Sequence, residues 1–313
     1  MPAPASVIQR QLKERLKNLS EGEKIPVLQE ALENLPGYTS GPYGDLRNWI
    51  KEQTRQAQTR TKVLHSEGFT IRKDGHRQIA IAGPPNSGKS SLLRALTGRQ
   101  VKVGSYAFTT LKPVAATLNL DGALIQLVEI PGLIKGASQG AGNGKAMLAA
   151  LRVADGAILT APLTDTGLDE LRVVWREVRE AGIELPHFIL GTKADLPGAD
   201  TLLAVLKTAF PDRQVHAVSA DTGSGVAELK AAIWDISGLI RVYPRPAGSG
   251  EHREEPVILS RGSSVLDFAA AIHKELAVNV KQARAWGLSV RFPGQPVSTD
   301  HVLSDGDQVE LRT

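Results

Sequence analysis

The chain has 313 residues, 42% hydrophobic and 22% charged, with a net charge of +4; the length suits two or three domains and the composition is that of an ordinary globular protein. It contains no cysteine, which excludes a disulfide framework and any Cys-ligated metal. The opening MPAPASVIQRQLKERLKN has no apolar core of the kind a signal peptide needs, and no run of about 18 apolar residues occurs anywhere, so a cytoplasmic protein without a membrane partner is expected.

Residues 6–35 have helical composition, and Pro36, Gly37, Gly41, Pro42 and Gly44 separate them from the next segment. That segment, RNWIKEQTRQAQTRTKVLHSEG, begins at Arg47 and is again helical in composition. Residues 1–75 therefore read as an N-terminal helical region. Between 47 and 77 the basic residues outnumber the acidic ones: Arg47, Lys51, Arg55, Arg60, Lys62, Arg72, Lys73 and Arg77. Arg47, Lys51 and Arg55 recur at i, i+4 and i+8, one face of a helix. Such a face is either simply solvated or a contact for an anionic partner such as RNA.

From residue 78 short apolar strands alternate with helices. Strands are expected at 78–82, 115–120, 124–130, 156–160, 187–190 and 215–219, and helices at 89–96, 144–152, 168–181, 202–210 and 226–236. The alternation predicts an α/β fold, a mainly parallel sheet with helices on both faces, in which ligands sit at the carboxyl ends of the strands.

The residues that carry chemistry fall at those strand ends. GPPNSGKS at 83–90 fits G-x-x-x-x-G-K-[ST] between an apolar strand and a helix, the setting in which that pattern is a P-loop. Gly88 lets the backbone approach phosphate, the N–H groups of Asn86, Ser87, Gly88, Ser90 and Ser91 favour negative charge, Lys89 reaches the β- and γ-phosphates, and the Ser90 hydroxyl is offered to Mg²⁺. Thr109 and Thr110 lie in SYAFTTLKP; Thr110 is the residue expected to close over the nucleotide and coordinate Mg²⁺. EIPG at 129–132 resembles the D-x-x-G element, with Gly132 giving its N–H to the γ-phosphate and Glu129, where Asp is usual, holding Mg²⁺ through a water. GTKAD at 191–195 resembles the N-K-x-D element that reads guanine. There Asp195 accepts from guanine N1–H and the N2 amine, a pair adenine cannot supply, and the Lys193 stem packs on the ring. Thr192 stands where Asn is usual, which is expected to weaken the support of the loop. SAD at 219–221 braces the base through Ser219 and Ala220. These elements in this order make GTP and GDP the expected ligands; an ATPase or nucleoside kinase requires TKAD to be accidental.

After residue 240, YPRPAGSGEHREEP reads as a linker. Strand PVILSR follows, then a helix capped by Ser263 or Ser264 and running to Leu276, then short strands ending in DQVELR. The seven histidines show no metal spacing, and Trp49, Trp175, Trp234 and Trp286 read as packing residues, Trp286 the least firmly because it lies near Lys281 and Arg284.

FTTLKP together with EIPGLIKGASQGAGNG resembles the Obg group of GTPases, and GLIRVYPRPAG with RGSSVLDFAAAIHKEL, ARAWG and HVLSDGDQVEL is similar to the developmentally regulated GTP-binding (DRG) family. The resemblance covers roughly 45–313. It implies a G domain over 76–245 and a TGS domain, a ubiquitin-like β-grasp module, over 254–313. It implies a cytoplasmic GTPase linked to ribosomes and translation, with RNA or a regulatory protein as partner. The small domain that some members insert after the second switch has no counterpart between 148 and 165. The position after Gly132, Gln in many GTPases, is Leu133, so slow intrinsic hydrolysis is expected. Asn86 resembles the P-loop Asn of potassium-activated GTPases, where it holds K⁺ against the phosphates. Lys89, Thr110 and Gly132 are the residues expected to carry catalysis. The departures at Glu129, Leu133 and Thr192 leave a second reading open, a GTP-binding scaffold with little turnover that works through its TGS domain.

Overall fold

A computed structural model describes residues 4–16, 21–35, 41–66, 72–98, 101–103, 114–246 and 255–312. Its internal contacts divide the chain into two units, Met1–Thr70 and Ile71–Thr313.

Among the described residues the first unit is three helices, α1 (Ala5–Leu16), α2 (Glu21–Glu33) and α3 (Gly41–Ser66). The helical stretch expected over 6–35 is thus two helices. Leu12 and Leu16 of α1, Leu28 of α2, and Leu46 and Ile50 of α3 bury one another; the four-residue spacings keep each apolar stripe on one side. Arg55 pairs with Glu52 at 3.0 Å, and the Lys13 ammonium lies 5.6 Å from the Trp49 ring, which makes Trp49 a packing residue as expected.

The second unit opens with β1 (Arg77–Ala82), α4 (Lys89–Thr97), β2 (Val101–Val103), β3 (Val114–Leu120) and β4 (Ala123–Glu129). It continues with α5 (Gly144–Arg152), β5 (Gly156–Pro162), α6 (Gly167–Glu180), β6 (His187–Thr192), α7 (Ala199–Ala209), β7 (Val215–Val218) and α8 (Val226–Ser237). These strands form one sheet in the order β2-β3-β4-β1-β5-β6-β7. It is parallel from β4 to β7 and antiparallel at the β2-β3-β4 edge. The strands at its centre are buried along almost their whole length, as a sheet covered on both faces requires: Ile79, Ile81, Ile125, Leu127, Ile158, Phe188 and Leu190 lie in one core with Leu92, Leu93, Leu229 and Ile233 from the helices. The strand order reverses at β1, with β4 on one side and β5 on the other, and the carboxyl ends on either side of such a point form the crevice where ligands sit. Only residues 153–155 join α5 to β5, so no inserted domain intervenes there.

The last strands form a second sheet, β8 (Leu239–Pro244), β9 (Val257–Ser260), β10 (Gln282–Trp286), β11 (Gln295–Val297) and β12 (Gln308–Arg312), in the order β11-β10-β12-β8-β9. Its core is Ile240, Val242, Leu259, Val265, Phe268, Ala283, Leu303 and Val309. The structure differs here from the sequence reading, which ends the first domain at 245: β8 pairs with β9 and β12 and belongs to the C-terminal sheet. The main helix also differs. Ser264 caps α9 (Val265–Ile272) through a reciprocal bond with Asp267, but His273 is extended and its Nδ1 accepts from the Glu275 N–H, starting a separate α10 (Lys274–Asn279). Trp286 is a packing residue: the Arg245 guanidinium lies 4.3 Å from its ring and the Gly294 backbone packs against it.

Two of the basic residues between 47 and 77 are taken up inside this unit. Lys73 bonds Asp155 at 2.7 Å, and the Arg77 guanidinium donates to the Ser237 carbonyl and the Ser260 hydroxyl. Arg60 and Lys62 have side chains outside the described residues.

His216 on β7 packs edge-on against Phe188, with its Nε2 buried and without a hydrogen-bond partner among the described residues. Burial first, and the Lys207 charge second, lower its pKa from the ordinary value. The unfolded chain then binds the proton more tightly, so stability contributed by neutral His216 is complete above about pH 6.5 and lost as pH falls below it. Urea denaturation across pH 5–7.5 is expected to show this slope, and His216→Phe to flatten it.

Candidate functional site

The loop between β1 and α4 rests on three side-chain hydroxyls. Ser87, Thr160 and Thr192 are all buried. Thr160 Oγ1, on β5, donates to the Ala82 carbonyl at 3.2 Å and lies 2.7 Å from Ser87 Oγ. The Thr192 hydroxyl, at the end of β6, donates to the Ser87 carbonyl at 2.7 Å, with the Ala161 carbonyl 3.3 Å away. Thr192 therefore ties the loop to β6. The threonine that stands where Asn is usual thus supplies a support of its own. Thr160 escaped the sequence reading because a threonine within an apolar strand has no motif around it.

Gly88 has φ +82° and caps α4, a left-handed conformation that glycine takes without strain. The Lys89 ammonium is buried and donates to the Pro84 carbonyl at 2.6 Å and to Ser87 Oγ at 3.2 Å. Burial draws its pKa down to about 8, against the opposing pull of the Glu129 carboxylate. A buried ammonium with so little countercharge is a site for an anion. Asn86 sits exposed at the rim of the loop with φ 59°.

Glu129 ends β4 beside β1, where it is opposite Ile81 in register. Its Oε1 accepts the Ser90 hydroxyl at 2.6 Å, so the longer side chain reaches the P-loop serine directly. Gly132 packs on Pro85, where a Cβ would come within 2.8 Å of the proline backbone; only glycine allows this approach. Leu133 donates its N–H to the Gly83 carbonyl at 3.1 Å and buries its side chain. Thr109 and Thr110 lie outside the described residues.

A cavity of about 140 Å³ runs from Gly88 and Ser91 at the start of α4 to Thr192 at the end of β6, Lys193 and Asp195 beyond it, and Ala220 after β7. Asp195 is exposed, and its carboxyl is held below the usual range by the Ser219 hydroxyl and its own backbone N–H. It is therefore an ionised acceptor at neutral pH. Lys193 has φ 60°, the turn that carries the chain from β6 around the cavity. Ser219 accepts the Thr222 N–H at 3.1 Å and Ala194 donates to the Val218 carbonyl at 3.1 Å, which binds the two loops together. The structure thus brings together Asn86, Ser87, Gly88, Lys89, Ser90, Ser91, Glu129 and Gly132 on one side and Thr192, Lys193, Asp195, Ser219 and Ala220 on the other.

Removing the Thr192 hydroxyl leaves the buried Ser87 carbonyl unpaired. Thr192→Val is expected to cost about 1–3 kcal/mol in urea denaturation of the nucleotide-free protein, with Thr192→Ser retaining most of the stability.

The comparisons agree with this geometry. The family described as "50S ribosome-binding GTPase" matches residues 78–193, and the family described as "TGS domain" matches residues 240–313. A GTP-binding protein of Schizosaccharomyces pombe is 30% identical over 78% of this chain and 84% of its own. "Ribosome-interacting GTPase 1" of Saccharomyces cerevisiae is 29% identical, and "Developmentally-regulated G-protein 3" of Arabidopsis thaliana 28% identical, each over 78% of this chain and 84% of the relative. No described helix is long and apolar enough to cross a membrane. With a P-loop GTPase sheet followed by a TGS module, the chain belongs to the developmentally regulated GTP-binding family of GTPases.

Proposed function

We propose that this chain binds GTP with Mg²⁺, hydrolyses it to GDP and phosphate, and acts as a switch for a ribosome-linked partner. The observation that carries the reading is the single cavity shared by the P-loop helix and Asp195. An ionised carboxylate there accepts from guanine N1–H and the N2 amine, and an adenine would leave it without donors. The names of the yeast relative and of the matching GTPase family support a ribosomal partner.

The Ser90 hydroxyl and Glu129 carboxylate meet at the mouth of the loop, an all-oxygen pair suited to a hard divalent cation. Ser90, Glu129 and Thr110 are the residues that would hold Mg²⁺. When bound, the ion neutralises charge on the β- and γ-phosphates. Lys89 and the loop N–H groups supply a fixed positive field for the γ-phosphate oxygens, joined by the Gly132 N–H. Water attacks the γ-phosphorus, the bond from that atom to the β–γ bridging oxygen breaks with its electron pair leaving on GDP, and the proton the water loses passes to phosphate or to solvent.

Leu133 is buried, so no side chain at that position orients the water, and intrinsic turnover is slow. In this reading the exposed Asn86 gives its side-chain oxygen to K⁺, which adds the missing positive charge. The same buried Leu133 favours a second reading, a GTP-binding scaffold of little turnover acting through its TGS domain.

Steady-state hydrolysis with Mg²⁺, in KCl and NaCl at matched ionic strength, tests the reading. A faster rate in K⁺ that Asn86→Ala abolishes is the expected result; equal rates remove the K⁺ site, and rates at the no-enzyme baseline favour the scaffold. Asp195→Asn turns an acceptor edge into a mixed one and is expected to weaken GTP binding about 100-fold in equilibrium titration, with ATP binding unchanged.

A further inference from the structure

The segment after Gly132 is fastened at two places. At its near end the Leu133 N–H bonds the Gly83 carbonyl of the P-loop, and Leu133 is buried. At its far end lies Glu177, on the inner side of α6 and only 4% exposed. Glu177 Oε1 accepts the Gly136 N–H at 2.7 Å. Oε2 accepts the Ser138 N–H at 2.8 Å and the Ser138 hydroxyl at 2.6 Å. Between them Ala137 is completely buried, while Ile134 and Lys135 are exposed.

A buried carboxylate is costly unless hydrogen bonds replace its water. Burial pushes the Glu177 pKa up, but the donors from Ser138 and Gly136, helped by the Arg176 charge, outweigh it and hold the carboxyl below its usual range. The charge is therefore retained, and its compensation comes chiefly from the loop it grips. Charge-assisted bonds to backbone N–H groups are the stronger kind. An α6 residue that needed only to be buried would be apolar, as Leu171, Val174 and Val178 on the same helix are.

We propose that Glu177 is a positioning residue for GTP hydrolysis: it anchors residues 136–138, so that any movement driven by the γ-phosphate is confined to residues 132–135. This rests on the GTPase reading above. With a fixed point four residues beyond Gly132, the Gly132 N–H has few placements and meets the γ-phosphate at small entropic cost. GDP makes its contacts through the base cavity and the P-loop, so it does not sense the anchor.

Glu177→Gln keeps the volume but sets an NH₂ group against N–H and O–H donors. Ser138→Ala removes the hydroxyl's bonds to Glu177 and, at 3.1 Å, to Glu180 but leaves the Glu177 carboxylate and its two backbone donors, and it serves if the first variant folds poorly. Hydrogen exchange of peptides covering 133–142 is measured on the full chain, nucleotide-free, with GDP, and with a non-hydrolysable GTP analogue. In Glu177→Gln the exchange at 136–138 is expected to rise about tenfold or more, with a smaller rise in Ser138→Ala. The analogue is expected to bind about fivefold or more weakly and single-turnover hydrolysis to fall by a similar factor, with GDP affinity within about twofold of the parent. Parental exchange at 136–138 in both variants overturns the anchor. Equal weakening of GDP and the analogue, together with a lower melting temperature, reduces Glu177 to a structural residue and also overturns it. If the parent chain binds no guanine nucleotide, the GTPase reading fails and the catalytic role of Glu177 fails with it, while exchange in the nucleotide-free chain still decides whether the carboxylate holds the loop.

Discussion

The site depends on a set of hydroxyls that solvent does not reach. A loop that presents its N–H groups outward must have its carbonyls and side chains satisfied from beneath, because buried polar groups without partners are costly. Here Thr160 from β5 and Thr192 from β6 do this for Ser87 and the strand that precedes it. Both neighbours are needed, since β1 is followed in the sheet by β5 and then β6. The P-loop is in this sense a product of three strands.

That support allows an unfavourable electrostatic arrangement above it. Lys89 is buried with its ammonium on neutral oxygens, and burial draws its pKa to about 8. The free protein thus holds a cation poorly compensated, and a phosphate at the loop relieves it. In the cavity the sign is reversed: Asp195 is kept ionised by the Ser219 hydroxyl. The buried cation thus belongs to the loop, while the ionised carboxylate lines the cavity beside it.

The two sheets of the second unit are joined by charged and aromatic contacts. The Arg241 guanidinium, on β8, bonds Asp305 at 2.7 Å and Asp121 at 2.8 Å and lies 4.4 Å from the Trp234 ring. Asp121 is at the tip of the β3–β4 hairpin, whose other end carries Glu129. The Arg77 guanidinium, at the start of β1, reaches Ser260 on β9. The C-terminal module is therefore held on the strands that run to the nucleotide site.

Local chemistry is legible in the amino-acid order alone. Glycine at 83, 88 and 132, Lys89 and Asp195 are readable because their roles depend on residue type and on short spacing at strand ends, and strands such as β1 and β6 announce themselves as unbroken apolar runs. Whatever depends on neighbours distant in the chain is set by the folded molecule. Thr160 supports Ser87 across 73 residues, and Glu177 grips Ser138 across 39; neither lies in a pattern, since a bond made through space leaves no periodicity. Strand β8 reads as the end of one domain but pairs into the next, because a strand's sequence does not specify which edge accepts its hydrogen bonds. Thr192 reads as a loss when only its place in the motif is known; the position of the Ser87 carbonyl shows that its hydroxyl has a partner.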